Sequence, residues 1–212
     1  CAASLLPIGS PERDALARRA ALLAPGPCPA AARLLLENPD SIAVFHAIRL
    51  GGAEAAEELS VLILARATPH WDYASLAAGE ALVEAGDPAR AAIFLANCPD
   101  SLPGAAGRDH LVLSYRCALG TGNMGSQERL WRRAESLDDP ELMSLMLHYR
   151  GMFRRDRGLP QWCRDLVSSL SLWPAGDVHA RGYAALRDTL LADPSLASAV
   201  AADYYAGGMW NQ

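Results

Sequence analysis

The sequence predicts an all-α protein, and three observations carry that expectation. Apolar residues make up 51% of the chain while aromatics contribute only 7%, so Ala and Leu supply most of the remainder. Those residues favour helix, and the sustained Val/Ile/Thr alternation of half-buried strands is absent. Apolar residues also recur at helical spacing, most clearly Leu142, Leu145, Met146, Tyr149, Met152 and Phe153, which should face one side of a helix. Finally, helix-ending glycines recur almost regularly: Leu50-Gly51, Ala85-Gly86 and Leu119-Gly120 lie 35 and 34 residues apart. At 212 residues the chain is long enough to bury a sizeable core.

Residues 1–10 read as an extended tether ending at Ser10-Pro11-Glu12, a helix start. A first helix is expected from about Pro11 to Leu23, ended by Pro25-Gly26-Pro27, and a second over about Pro29 to Glu37. Asn38-Pro39-Asp40-Ser41 stops that helix and caps the next, which runs to Leu50; Ala53 to Ala67 should pair with it. The stretch Trp71 to Pro99 is the most legible. Its two amphipathic runs meet at Gly86-Asp87-Pro88, where Gly suits the C′ position, Asp the N-cap and Pro the first helical residue. Three residues thus end one helix and begin another, which makes a tight αα-hairpin.

The third unit is looser. After Asp109 comes the run HLVLSYRCAL and then Gly120-Thr121-Gly122-Asn123-Met124-Gly125. Three glycines could cradle a phosphate, but a Walker loop needs Gly-Lys-Ser/Thr behind a strand, and this chain has no Lys. The segment therefore reads as a long turn before a helix over Gln127 to Leu137. Asp139-Pro140-Glu141 opens the clearest amphipathic helix. Three further helices follow at Pro160–Leu172, Val178–Leu191 and Ser195–Ala206, the last two capped by Asp177 and Asp193. Trp162 and Trp173 flank the first of these and are expected in helix packing. The organisation is then a tether at 1–10, a single helical domain at 11–206 and a loose tail at 207–212.

A period near 34 is that of tetratricopeptide-type helix pairs. Gly79, Leu82, Gly86 and Ala91 occupy the small, large, turn and small positions of that pattern. The preceding unit keeps the turn and Ala56 but lacks the small residue in its first helix. Residues 40–125 thus resemble the tetratricopeptide family in degenerate form. The resemblance implies about ten helices stacked as antiparallel pairs in a short superhelix, whose concave groove holds a protein partner.

The net charge of −5 argues against a nucleic-acid binder, which needs a basic face. All 19 basic residues are Arg, a pattern that codon usage in a GC-rich genome explains. The chain begins with Cys1, followed by the small Ala2-Ala3-Ser4, which resembles a bacterial lipoprotein cut after its lipobox. That resemblance implies acyl chains on Cys1 and, with no Asp in second place, the periplasmic face of the outer membrane. The alternative is a cytosolic adaptor in which Cys1 is an arbitrary starting point. With Cys1 acylated, Cys28, Cys98, Cys117 and Cys163 remain as disulfide candidates whose pairing the spacing does not assign. Cys98 with Cys117 is disfavoured, because they should lie a helix length apart at the ends of consecutive antiparallel helices. The other reading makes all four small buried hydrophobes.

No Cys/His spacing suits a metal, no GxSxG, HExxH, GxGxxG or EF-hand loop is present, and the five His are scattered. No catalytic residue or cofactor is therefore assigned, though a helical enzyme or substrate-binding domain without a recognisable motif stays an alternative. The most unusual charge feature is Arg150, Arg154 and Arg157 at i, i+4 and i+7, with Arg155 beside them and Asp156 in opposition. It reads either as a docking patch for acidic partner residues or lipid headgroups, or as a solvated face paired with acids such as those at 138–141. The expected function is a non-enzymatic, lipid-anchored periplasmic scaffold for a protein partner. Small lipoproteins of this kind resemble assembly factors of pili and secretion channels.

Overall fold

Acidic caps and left-handed glycines divide this chain into its helices. The computed structural model describes residues 10–13, 15, 16, 19, 32, 40–65, 71–159, 161–173, 177–195, 197, 198, 201 and 202. Its bounded helices are α1 (Ser41–Glu58), α2 (Ser60–Leu64), α3 (Asp72–Glu84), α4 (Pro88–Leu95), α5 (Gly104–Gly120), α6 (Met124–Ser136), α7 (Pro140–Asp156), α8 (Trp162–Leu172) and α9 (Asp177–Ala192). No strand occurs among the described residues, so the fold is all-α. Cys1, Cys28, His70, the tether over 1–9 and the tail at 207–212 lie outside them.

Three of the caps are those the sequence calls for, and Asn123 adds a fourth. Side-chain oxygens of Asp40, Asp87, Asn123 and Asp139 accept from the backbone N–H groups of Ala43, Arg90, Ser126 and Leu142 at 2.7, 3.1, 3.0 and 3.1 Å. Each satisfies an otherwise orphaned amide and contributes about 1 kcal/mol. Ser10 does the same for the Arg13 amide at 3.2 Å, which agrees with a helix start at Ser10-Pro11-Glu12.

The helix ends repeat one geometry. Gly86, Gly122 and Gly158 have φ of +82°, +70° and +62°. At each, the glycine amide and the next amide reach back to the helix: Gly86 to Val83 and Asp87 to Leu82, Gly122 to Leu119 and Asn123 to Ala118, Gly158 to Arg155 and Leu159 to Arg154, all between 2.8 and 3.2 Å. These are Schellman closures, and a side chain at those glycines would hold a strained backbone. Gly52, at φ +63° and ψ −145°, breaks α1 in a different conformation. Positive-φ glycines thus stand at 52, 86, 104, 122 and 158, and the three that make Schellman closures, Gly86, Gly122 and Gly158, lie 36 residues apart.

Three boundaries differ from expectation. The helix expected over Ala53–Ala67 is divided, with α1 running on past the Gly52 kink to Glu58 and α2 covering only Ser60–Leu64. The turn after α5 is tight rather than long, because Gly122 and the Asn123 cap let α6 begin at Met124 instead of Gln127. The helix before it starts at Gly104, ahead of the run that begins after Asp109.

The chain divides into two compact units, residues 1–117 and 118–212. In the first, α3 packs on both α1 and α4. The α3–α4 pair is antiparallel, since Cys98, just past α4, sets its thiol 3.5 Å from the Asp72 carbonyl at the start of α3. Its seam is tight at Gly79, where an added Cβ would lie 2.6 Å from Leu95 Cδ2. Leu82 and Ala91 are buried beside it, while Arg90 is exposed and paired with Glu57. At this hairpin Gly79 and Ala91 are thus closely packed, Leu82 is core, and Gly86 makes the turn.

In the second unit α7 packs against α6, α8 and α9. Its buried residues are Leu142, Ser144, Met146, Leu147, His148 and Gly151. This corrects the single apolar stripe expected there, for Leu145, Tyr149, Met152 and Phe153 are only half-buried. The helix is covered on more than one side, and small and polar residues form its closest seams. An added Cβ at Gly151 would meet Leu166 Cδ2 of α8 at 2.7 Å, and one at Gly182 of α9 would meet His148 Nδ1 at 3.0 Å. Of the two flanking tryptophans, Trp162 packs against the core of Cys163, Leu166, Val167 and Leu186, whereas Trp173 is exposed.

Candidate functional site

The four arginines singled out in the sequence lie on the last turns of α7 and its C-cap, Arg157. They do not form one open patch. Arg150 donates two hydrogen bonds to Asp165 of α8, from Nε at 3.1 Å and Nη2 at 2.7 Å, and Arg154 donates a third from Nη1 at 2.6 Å. Asp165 is 4% exposed, so its charge depends on these partners. The Arg150 guanidinium also lies 3.9 Å from the centre of the Trp131 ring of α6, whose indole N–H donates to Glu135 at 2.7 Å. Arg155 pairs with the adjacent Asp156 at 2.9 Å. Arg157 stacks over Phe153 at 4.0 Å and contacts no carboxylate among the described residues.

Pairing inside the fold is thus the fate of Arg150 and Arg154, through Asp165 rather than the acids at 138–141. The sequence reading missed Asp165 and Trp131. Asp165 did leave a signal: it is an acid within the apolar run Trp162, Cys163, Leu166, Val167, and an acid on a buried face demands a cation.

The candidate cysteines Cys98, Cys117 and Cys163 are buried thiols. Burial, with the nearby Asp72 carboxylate adding to it, pushes the Cys98 thiol up to about 12. Burial raises Cys117 to about 11 against the lowering effect of Arg116, and it also raises Cys163. Such thiols are poor nucleophiles at neutral pH. His110 is held by the Leu95 carbonyl at 3.0 Å, and His148 is buried edge-on to Tyr149. Ser144 and Ser169 exchange hydrogen bonds across the α7–α8 seam, each hydroxyl donating to the other's carbonyl at 2.7 Å.

No group of three or more His, Cys, Asp or Glu residues suited to a metal ion occurs among the described residues. No described helix is long and apolar enough to cross a membrane. Comparison with protein-family models, curated proteins and solved structures finds no match.

Proposed function

We propose that this chain is a non-enzymatic helical-repeat scaffold that holds a protein partner, with its helix pairs stacked as antiparallel repeats of tetratricopeptide type. The observation that supports it is the recurrence of one helix-ending geometry at Gly86, Gly122 and Gly158, with each glycine followed by a new helix. Repeats of this kind bury little core apiece and offer extended surface, the economy of a binding protein. Assistance to a pilus or secretion machine is the narrower form of the proposal.

Crosslinked affinity capture with the full chain tests the scaffold. The expected result is one partner recovered in constant proportion, and lost when the α3–α4 hairpin is broken by Ala91→Leu. Equal recovery of every protein with intact and broken hairpins would refute it.

A further inference from the structure

We infer that the C-terminal corner of α7 is a docking point for carboxylates of an acidic peptide segment, with Arg157 and Arg154 as its donors. The inference rests on the scaffold reading and names the chemistry of the partner. Among the described residues, ion pairs to Arg150, Arg154 and Arg155 come from only two carboxylates, Asp165 and Asp156, and Arg157 adds a fourth guanidinium, so this corner keeps positive charge on a chain of net −5.

The heads are already ordered. Buried Asp165 fixes Arg154 through Nη1 alone, which leaves its Nε and Nη2 edge for another acceptor. Arg157 lies over the Phe153 ring, and a guanidinium stacked on a ring keeps its N–H groups pointing outward in plane. That fork matches the two oxygens of a carboxylate, and ordering it beforehand removes part of the entropic cost of binding. A membrane surface fits less well. Attraction to anionic lipid needs a broadly basic face, and here Asp156 stands exposed among the arginines on a net acidic chain.

Fluorescence anisotropy of a labelled hexaglutamate peptide against the full chain at low salt tests this. Saturable binding is expected, weakened about fivefold by Arg157→Ala, less by Arg157→Lys, and hardly at all by Arg187→Ala, which removes an equal charge from an exposed pair on α9. Circular dichroism melts of the variants separate lost binding from lost fold. Absent binding, equal weakening by Arg187→Ala, or binding to phosphatidylserine vesicles with none to the peptide would overturn the inference. None of these results touches the scaffold reading, which the capture experiment decides.

Discussion

The α3–α4 seam allows a prediction whose size follows from its geometry. A Cβ at Gly79 would lie 2.6 Å from Leu95 Cδ2 and 2.8 Å from Leu95 Cγ. Leu95 is 3% exposed and cannot swing into solvent, so its Cγ as well as its tip must be displaced. Overpacking of this kind costs about 1–3 kcal/mol, and the helix propensity gained on leaving Gly offsets only about 0.5. Gly79→Val should therefore destabilise the fold by about 2 kcal/mol. Leu95→Ala alone should cost about 2–4 kcal/mol through lost burial and the cavity left behind. In the double variant the Val fills space that Leu95 vacated, so the combined cost should fall short of the sum by about 1–2 kcal/mol. Urea melts of the four proteins, extrapolated linearly, give the cycle. Costs that add to within about 0.5 kcal/mol would mean the two residues do not meet, and the register of this hairpin would be wrong.

Gly86→Val and Ala91→Leu should each cost about 1–3 kcal/mol, by left-handed strain and by overpacking, while Arg90→Ala, exposed in its pair with Glu57, should cost under about 1 in the same melts. Asp165→Ala strips two partly buried guanidiniums of their carboxylate and should cost about 2–4 kcal/mol; a loss below about 0.5 would mean that water already screens the cluster. Cys98 ionises near 9.0 when unfolded and only near 12 when folded, so its contribution is intact below pH 9 and declines as pH climbs towards 12. Relative to wild type, Cys98→Ala should lose less thermal stability between pH 8 and pH 10.5, and parallel pH profiles would contradict this. If Cys1 carries lipid, Cys1→Ser in the full precursor should shift the product from membrane to soluble periplasm, and unchanged fractionation would end that expectation.

Much of the fold was legible because its signals are local. Asp40, Asp87 and Asp139 cap as their positions suggest, since an N-cap needs only a short acceptor two or three residues from the amide. The glycine spacing was visible in outline, but which glycine takes positive φ was not: Gly52 and Gly122 do so, rather than Gly51 and Gly120. The face of α7 was misread. A search for large apolar residues finds what covers a helix, whereas a close seam is made by what is missing, as at Gly151, or by polar groups that satisfy each other, as at Ser144. The partners of the arginines lie on another helix, and no spacing within α7 could name Asp165.

The two best-defined hairpins solve one problem by different means. Helices rich in Ala and Leu can slide past one another by a turn with little change in buried area, so their register needs a specific lock. In α3–α4 the lock is steric, Leu95 seated over Gly79. In α7–α8 the same device recurs as Leu166 over Gly151, and polar locks are added to it. A one-turn slip there would part both Ser144–Ser169 hydrogen bonds and withdraw Asp165 from Arg150 and Arg154. Each buried polar group left unmatched costs about 1–3 kcal/mol, against a steric misfit that small shifts could relieve. The α7–α8 pair is thus held to a single alignment more strictly than its burial alone would require. That strictness is what keeps Arg154 fixed beside Asp165 at the corner where Arg157 is exposed.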